Sequence, residues 1–357
     1  MKDNFSTLQI IVENKNNIKT GGDIVGKILV NTLSNKLKID IFSLSDNKFS
    51  FKILGERVIN IFKVFSNIKK LSKNNIVLFN YYFDIASLTL LIISYFRKNK
   101  NIVVFHTFFK KNVILIDIIY FVKRVILLNF ALFFANRIIF LTNAQRKFFK
   151  KYTFFQKKFL KKSLVIKNGI EKKYILRKKR PLIKEIKLVY IGRLVSQKGL
   201  KSLIELTKEK EIFSDFIIIG SGNKKAEIKL KYERNVQFYT EVSNESIYKY
   251  YDVANVLILP SYSEVFPIVI LEAMARGVVI LVSDIPGMRE IVVDGRNGYL
   301  FPPGDIKKIR EILIYLKNNP TEIDRISKNN IQDVKLFTAE KQSQKYYEIC
   351  KSVLKND

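Results

Sequence analysis

Cysteine occurs once among the 357 residues, at Cys350, and histidine once, at His106. A single thiol excludes a disulfide framework and a thiolate metal site, and a single imidazole excludes a histidine cluster, so no metal is expected. Long apolar runs are missing as well. The greasiest region, 113–141, is cut by Asp117, Lys123, Arg124, Asn129 and Arg137, and no stretch reaches the roughly 18–20 uninterrupted apolar residues of a membrane span. Residues 1–17 hold only the short run Leu8, Ile10, Ile11 and Val12, which has the character of a strand and not of a secretory leader. The expected location is cytoplasmic. After that strand, Gly21-Gly22-Asp23-Ile24-Val25-Gly26 lacks the Gly-x-Gly-x-x-Gly spacing of a dinucleotide site, which argues against an oxidoreductase or epimerase. Asp-x-Asp, a common metal-diphosphate motif, is absent too.

Acidic side chains are scarce, 32 against 63 Lys and Arg, and the shortage is local. Residues 1–180 carry 36 basic and 9 acidic groups, a net of +27, whereas residues 181–357 carry 27 and 23, a net of +4. A compositional drift toward Lys, Asn and Ile would load both halves alike. The asymmetry therefore calls for an anionic partner of the first half: nucleic acid, phospholipid head groups or a phosphorylated substrate.

What is present is an alternation of short β-branched runs with helical patterns. In the first half strands are expected at 8–12, 39–44, 76–80, 102–105, 137–141 and 164–166, with helices at 26–35, 85–96 and 113–134. Residues 171–184, rich in Lys and Arg and containing Pro181, lack apolar periodicity and form the expected linker. Strands then recur at 186–191, 216–219, 236–239, 256–259 and 279–282, with helices near 200–209, 224–231, 245–251, 268–276, 306–316 and 339–354. The pattern predicts two doubly wound α/β domains, 1–180 and 181–337, followed by a closing helix, 338–357. Ligands are expected in a cleft at the carboxyl ends of both sheets.

Two segments of the second half concentrate chemistry. Gly192-Arg193-Leu194-Val195-Ser196-Gln197-Lys198-Gly199 leads from a strand into a helix. A glycine turn, two cations five residues apart and a helix start make an anion site, the bland alternative being two solvated turn residues. In 260–277 (PSYSEVFPIVILEAMARG) Pro267 falls at the first helical position, Glu264 lies in the loop before it and Glu272 lies in the second turn of an otherwise apolar helix. A carboxylate there needs a partner, either Arg276 at i+4 or a ligand. Glu272 is about 7.5 Å along the helix from Pro267, so the two carboxylates can address different parts of one elongated ligand.

These segments resemble the retaining GT-B glycosyltransferases of family 4 (glycosyl transferases group 1), of the kind found in bacterial surface-polysaccharide biosynthesis. The donor site of that family carries Glu, seven residues, Glu, here Glu264 and Glu272. The likeness takes in Tyr190–Leu194 with Gln197-Lys198-Gly199, Ile219-Gly220-Ser221-Gly222, Val256–Ser261, Ser283–Glu290 and Asp294–Leu300. It is looser in the first half, at Gly21-Gly22, His106 and Val165–Gly169. Val265 stands where the family usually has Gly, Thr240 where Gly is frequent and Val279 where Pro is common, departures that remove no charged group.

The resemblance implies a GT-B fold, two Rossmann-like domains facing across a cleft, with the C-terminal helix returning to an N-terminal acceptor-binding domain. It implies metal-independent transfer of a hexose or N-acetylhexosamine, with retention, from a nucleotide-diphosphate sugar (UDP preferred). The implied acceptor is a lipid-linked glycan of O-antigen or capsule type, and no cofactor is implied. Arg193 and Lys198 would hold the diphosphate, with the Gly22 and Gly222 backbones against the donor. Glu272 would bind the ribose, and Glu264 with Val265, Phe266 and Pro267 the transferred sugar. His106 would lie near the reacting carbon, completing a catalytic set of His106, Glu264, Arg193 and Lys198.

The segment Arg146–Lys162 packs eight cations into seventeen residues, interleaved with Phe148, Phe149, Phe154, Phe155 and Phe159, and 177–180 adds four more cations. Cations among aromatics suit single-stranded nucleic acid or an anionic lipid surface. The expected partner is the lipid surface, at the inner face of the plasma membrane. The rival reading, a basic nucleic-acid- or membrane-binding protein on an α/β scaffold, leaves the motifs of the near-neutral half without a role.

Overall fold

The computed structural model describes residues 8–12, 29, 32, 39–43, 51–53, 56–58, 75–81, 85–106, 115–176, 185–209, 211–231, 233–243 and 246–355. The chain divides into two units, Met1–Asn168 with Ala339–Asp357, and Gly169–Thr338.

The first unit contains β1 (Leu8–Val12), β2 (Ile39–Ser43), β3 (Phe51–Ile53), β4 (Glu56–Val58), β5 (Ile76–Tyr81), α1 (Ile85–Phe96), β6 (Lys100–Phe105), α2 (Leu115–Phe134), β7 (Arg137–Phe140), α3 (Asn143–Lys150), α4 (Gln156–Lys162) and β8 (Ser163–Val165). Six strands form one parallel sheet in the order β2-β1-β5-β6-β7-β8, and β3 and β4 make a separate antiparallel pair. Phe105, Phe140 and Phe149 stack in its core, with ring centroids 5.3 to 5.4 Å apart.

The second unit runs β9 (Lys187–Ile191), α5 (Leu200–Leu206), β10 (Asp215–Ile219), α6 (Lys224–Lys231), β11 (Val236–Tyr239), α7 (Tyr248–Val253), β12 (Val256–Leu259), α8 (Ile268–Ala275), β13 (Val279–Ser283), β14 (Gly298–Phe301), α9 (Ile306–Asn318) and α10 (Pro320–Asp333). Its sheet, also parallel, has the order β11-β10-β9-β12-β13-β14. Helices over both faces explain why β12 and β13 are apolar and buried along their whole length. The last helix, α11 (Ala339–Lys355), belongs to the first unit, where the Ser343 and Thr32 hydroxyls share a hydrogen bond.

Several boundaries differ from the sequence expectation. The units divide at Asn168, not after residue 180. The reason is that 170–176 is built into the second unit: Ile170 N–H donates to Phe337 O at 2.9 Å, Leu176 N–H to Ala275 O at 2.9 Å, and Tyr174 stacks on Tyr248 at 4.0 Å. Pro267 is the cap of α8 and not its first helical residue. The strand β14 and the helices α3, α4 and α10 were not anticipated. Of the predicted helix 26–35 only Leu29 and Thr32 are described, both helical; Gly21, Gly22 and residues 177–184 lie outside the described residues.

Buried asparagines fasten the amino ends of the strands. Asn255 accepts from Lys187 N–H (2.8 Å) and donates to Glu185 O (2.7 Å), while Val279 N–H donates to Asn255 O (2.9 Å). In the first unit Asn101 N–H donates to Asn136 Oδ1 and Asn75 N–H to Asn99 Oδ1, both at 2.8 Å. The Asn255, Asn101 and Asn99 side chains are hydrogen-bonded at both oxygen and nitrogen, so they fix strand order instead of costing stability. In the second sheet the strand order reverses between β9 and β12, so their connections leave the sheet on opposite sides and open a crevice outside their carboxyl ends.

Candidate functional site

Both motif segments emerge at that reversal, 192–199 after β9 and 260–267 after β12. Backbone contacts fasten them together. Tyr262 N–H donates to Gln197 O at 2.9 Å, and Gly199, in the left-handed region at φ 75°, lies so close to Pro260 that a Cβ would fall 2.0 Å from Pro260 O. Only glycine satisfies both demands. The result is an ion pair between Lys198 Nζ and Glu264 Oε1, with Ser261 Oγ donating to the same oxygen at 3.0 Å. The Glu264 and Val265 N–H groups make no hydrogen bond among the described residues, which leaves two backbone donors beside the carboxylate.

Arg193 is exposed and has no carboxylate partner among the described residues. Its loop is set by Tyr190, whose hydroxyl donates to Arg193 O at 2.9 Å. Burial, with the Glu264 charge nearby, holds the Tyr190 hydroxyl protonated far above neutrality. Leu194 N–H donates to Ser221 O (2.9 Å) and Asn223 N–H to Leu194 O (3.0 Å), so the Gly220–Gly222 turn runs alongside. The Gly222 N–H is committed to Glu227 Oε1 at 2.7 Å. What glycine supplies there is closeness, since a Cβ would meet Leu194 O at 2.7 Å.

Glu272 projects from α8 onto Tyr251 of α7, whose hydroxyl donates to Glu272 Oε2 at 2.8 Å. Arg276 is not its partner. That guanidinium grips Asp252 with two bonds (2.6 and 2.8 Å) and donates to Tyr174 O at 3.1 Å. Among the described residues no cation pairs with Glu272, and burial pushes its pKa up to about 7, with the Tyr251 hydrogen bond opposing the rise. A carboxylate held by one hydroxyl keeps acceptor sites free, the arrangement a vicinal diol needs. Tyr251, Tyr190 and Ser261 were not foreseen as site residues, because a buried Tyr usually signals core packing alone.

His106 belongs to the first unit, one residue beyond β6. Gln145 fixes that edge: its Nε2 donates to Phe105 O at 3.1 Å and its Oε1 accepts from Leu141 N–H at 2.9 Å. Burial lowers the His106 pKa to about 4, so the imidazole is neutral at pH 7. Among the described residues no three His, Cys, Asp or Glu side chains converge as a metal site.

The decisive comparison falls on the unit that carries the two motifs. Residues 172–333 match the family model for glycosyl transferases group 1. That match spans Arg193, Lys198, Glu264 and Glu272 together. Among curated relatives, the amylovoran biosynthesis glycosyltransferase AmsK of Erwinia amylovora is 28% identical over 174 residues, 44% of this chain and 43% of that protein. The N,N'-diacetylbacillosaminyl-diphospho-undecaprenol alpha-1,3-N-acetylgalactosaminyltransferase of Campylobacter jejuni is 25% identical over 198 residues, 55% of this chain and 53% of that protein. The chain thus spans about half the length of these relatives or less. The Anabaena protein HepE, solved with UDP and glucose, superposes with a TM-score of 0.75 at 15% identity, covering 97% of this chain and 99% of that one. The fold is GT-B, an α/β fold with two parallel sheets.

Proposed function

We propose that the chain is a retaining, metal-independent glycosyltransferase. It moves a hexose or N-acetylhexosamine from a nucleotide-diphosphate sugar, UDP-linked by preference, to a hydroxyl of a lipid-linked saccharide in surface-glycan synthesis. The observation that carries this reading is the Lys198–Glu264 pair beside the uncommitted Arg193, with Glu272 on the next helix, all at the strand reversal of a group 1 domain. The relatives' names support the substrate class: one acts in amylovoran synthesis, another on a diphospho-undecaprenol-linked sugar.

In this reading Arg193 and Lys198 bind the diphosphate, Glu272 accepts the ribose diol, and Glu264 with the Glu264 and Val265 N–H groups holds the sugar hydroxyls. The bond from the anomeric carbon to the phosphate oxygen breaks, and its electron pair leaves with the diphosphate. The acceptor oxygen bonds to that carbon on the same face, and its proton passes to the departing phosphate oxygen. The two cations stabilise the charge that grows there, the largest single contribution expected at such a centre. The resemblance alone assigns neutral His106 to the transferred sugar.

A screen of UDP- and GDP-sugars by thermal shift and hydrolysis tests the proposal. One sugar nucleotide is expected to raise the melting temperature and to be turned over with its α or β configuration kept, and Glu272→Ala to abolish the shift. A shift that survives Glu272→Ala rejects its ribose role, and inverted product rejects retention.

A further inference from the structure

The basic segment does not present all its aromatics to solvent. Phe149 and Phe159 are buried in the core of the first unit, whereas Phe154 and Phe155 are 72% and 65% exposed. On α2, Val122, Ile126, Phe130 and Phe133 are 50%, 46%, 51% and 54% exposed. At 100° per residue these four fall within about 80° of arc, one stripe of the helix. A solvated helix puts polar residues there, so the stripe is unusual for a face in water.

The two sets form one surface. Asn129, on α2, accepts from Phe154 N–H at 2.9 Å and donates to Tyr152 O at 3.0 Å, which fastens the Phe154 loop to the helix. Phe133 and Phe155 line a common recess with Lys158, whose Nζ sits 4.5 Å from the Phe133 ring. Lys157 and Lys161 are exposed on the same short helix. Lys162 is not part of this charge: its ammonium donates to the carbonyls of Leu132, Phe133 and Ala135 at the end of α2.

We propose that the stripe Val122, Ile126, Phe130 and Phe133, with Phe154 and Phe155, inserts into an anionic lipid surface whose head groups are met by Lys157, Lys158 and Lys161. Charge selects the occupant. Residues 1–180 carry a net of +27, so two copies apposed through this face repel, whereas an anionic bilayer attracts it. The side chains select further: Val122 and Ile126 offer no ring for a base to stack on, as a single-strand platform requires, but enter acyl chains readily. No described helix is long and apolar enough to cross a membrane, so the contact lies in the plane of the surface.

The inference stands apart from the donor site. Its test is flotation of the full chain with phosphatidylglycerol–phosphatidylcholine vesicles and with pure phosphatidylcholine vesicles. The wild type is expected to float with the anionic vesicles. The triple variant Phe130→Ser, Phe154→Ser, Phe155→Ser should lose about tenfold or more in binding at an unchanged melting temperature, while the corresponding Leu triple keeps it. Lys157→Gln, Lys158→Gln, Lys161→Gln should remove the preference for anionic lipid. A wild type that does not float, or a Ser triple that floats undiminished, overturns the proposal. So does a Ser triple that loses only single-stranded oligonucleotide binding, or only self-association in sedimentation.

Discussion

The Lys198 ammonium is ion-paired with the Glu264 carboxylate across two loops 66 residues apart in the chain. Both side chains are largely buried, and each compensates the charge of the other. In the proposed reaction the donor separates them: the diphosphate takes the cation, and the carboxylate is released to the sugar. Glu264→Gln removes the competitor for Lys198. Affinity for UDP alone should rise about fivefold, while turnover of the sugar nucleotide falls about a hundredfold, measured by calorimetry and product formation. Weaker UDP binding in this variant would show that Glu264 does not compete for the cation.

Glu272, with its pKa pushed up to about 7, supplies a pH signature. Diol binding needs the ionised form, so donor affinity should climb about tenfold from pH 6 to pH 8. The diphosphate of a sugar nucleotide has no group titrating in that window. The sign for stability is opposite: a carboxylate raised above its unfolded value disfavours the folded state as it ionises, so stability falls as pH rises from about 4.5 through 7. Glu272→Gln should flatten both profiles, read by calorimetry and by melting curves across pH.

Tyr251 acts through Glu272. Tyr251→Phe removes the hydroxyl donor at 2.8 Å, and the Glu272 pKa should move further up. The midpoint of donor affinity against pH then shifts by about one unit to the alkaline side, with kcat at high pH little changed. A uniform loss at every pH, with an unshifted midpoint, would mark Tyr251 as packing only.

Gly199 joins the two motif loops. Gly199→Ala places a Cβ 2.0 Å from Pro260 O in a backbone at φ 75°. The clash should cost about 2–4 kcal/mol in chemical denaturation and separate Lys198 from Glu264, with donor binding lost at temperatures where the fold persists.

How much of this was legible depends on residue type. Strands buried on both faces write themselves as apolar runs, and Val256–Leu259 came out at its observed limits. Gly298–Phe301 did not, because it is buried only at its two ends and opens on a glycine, where a Cβ would meet Ile280 O at 2.3 Å. In α10 the buried Ile323 and Ile326 stand among polar residues, too sparse a stripe to register. The charged site residues were visible from spacing and resemblance. Their mutual arrangement was not, since nothing local ties Lys198 to Glu264 or diverts Arg276 from Glu272 to Asp252. The basic segment misled in one respect: helical periodicity turns Phe149 and Phe159 inward and leaves only Phe154 and Phe155 outside.

The central claim is that Arg193, Lys198, Glu264 and Glu272 grip one sugar nucleotide. The most direct test is a crystal structure of the full chain soaked with the sugar nucleotide that the screen selects. The account predicts the diphosphate on Arg193 and Lys198, the ribose diol on Glu272, and Glu264 released from Lys198 onto the sugar. A nucleotide seated elsewhere, or a Lys198–Glu264 pair left intact beside it, contradicts the account.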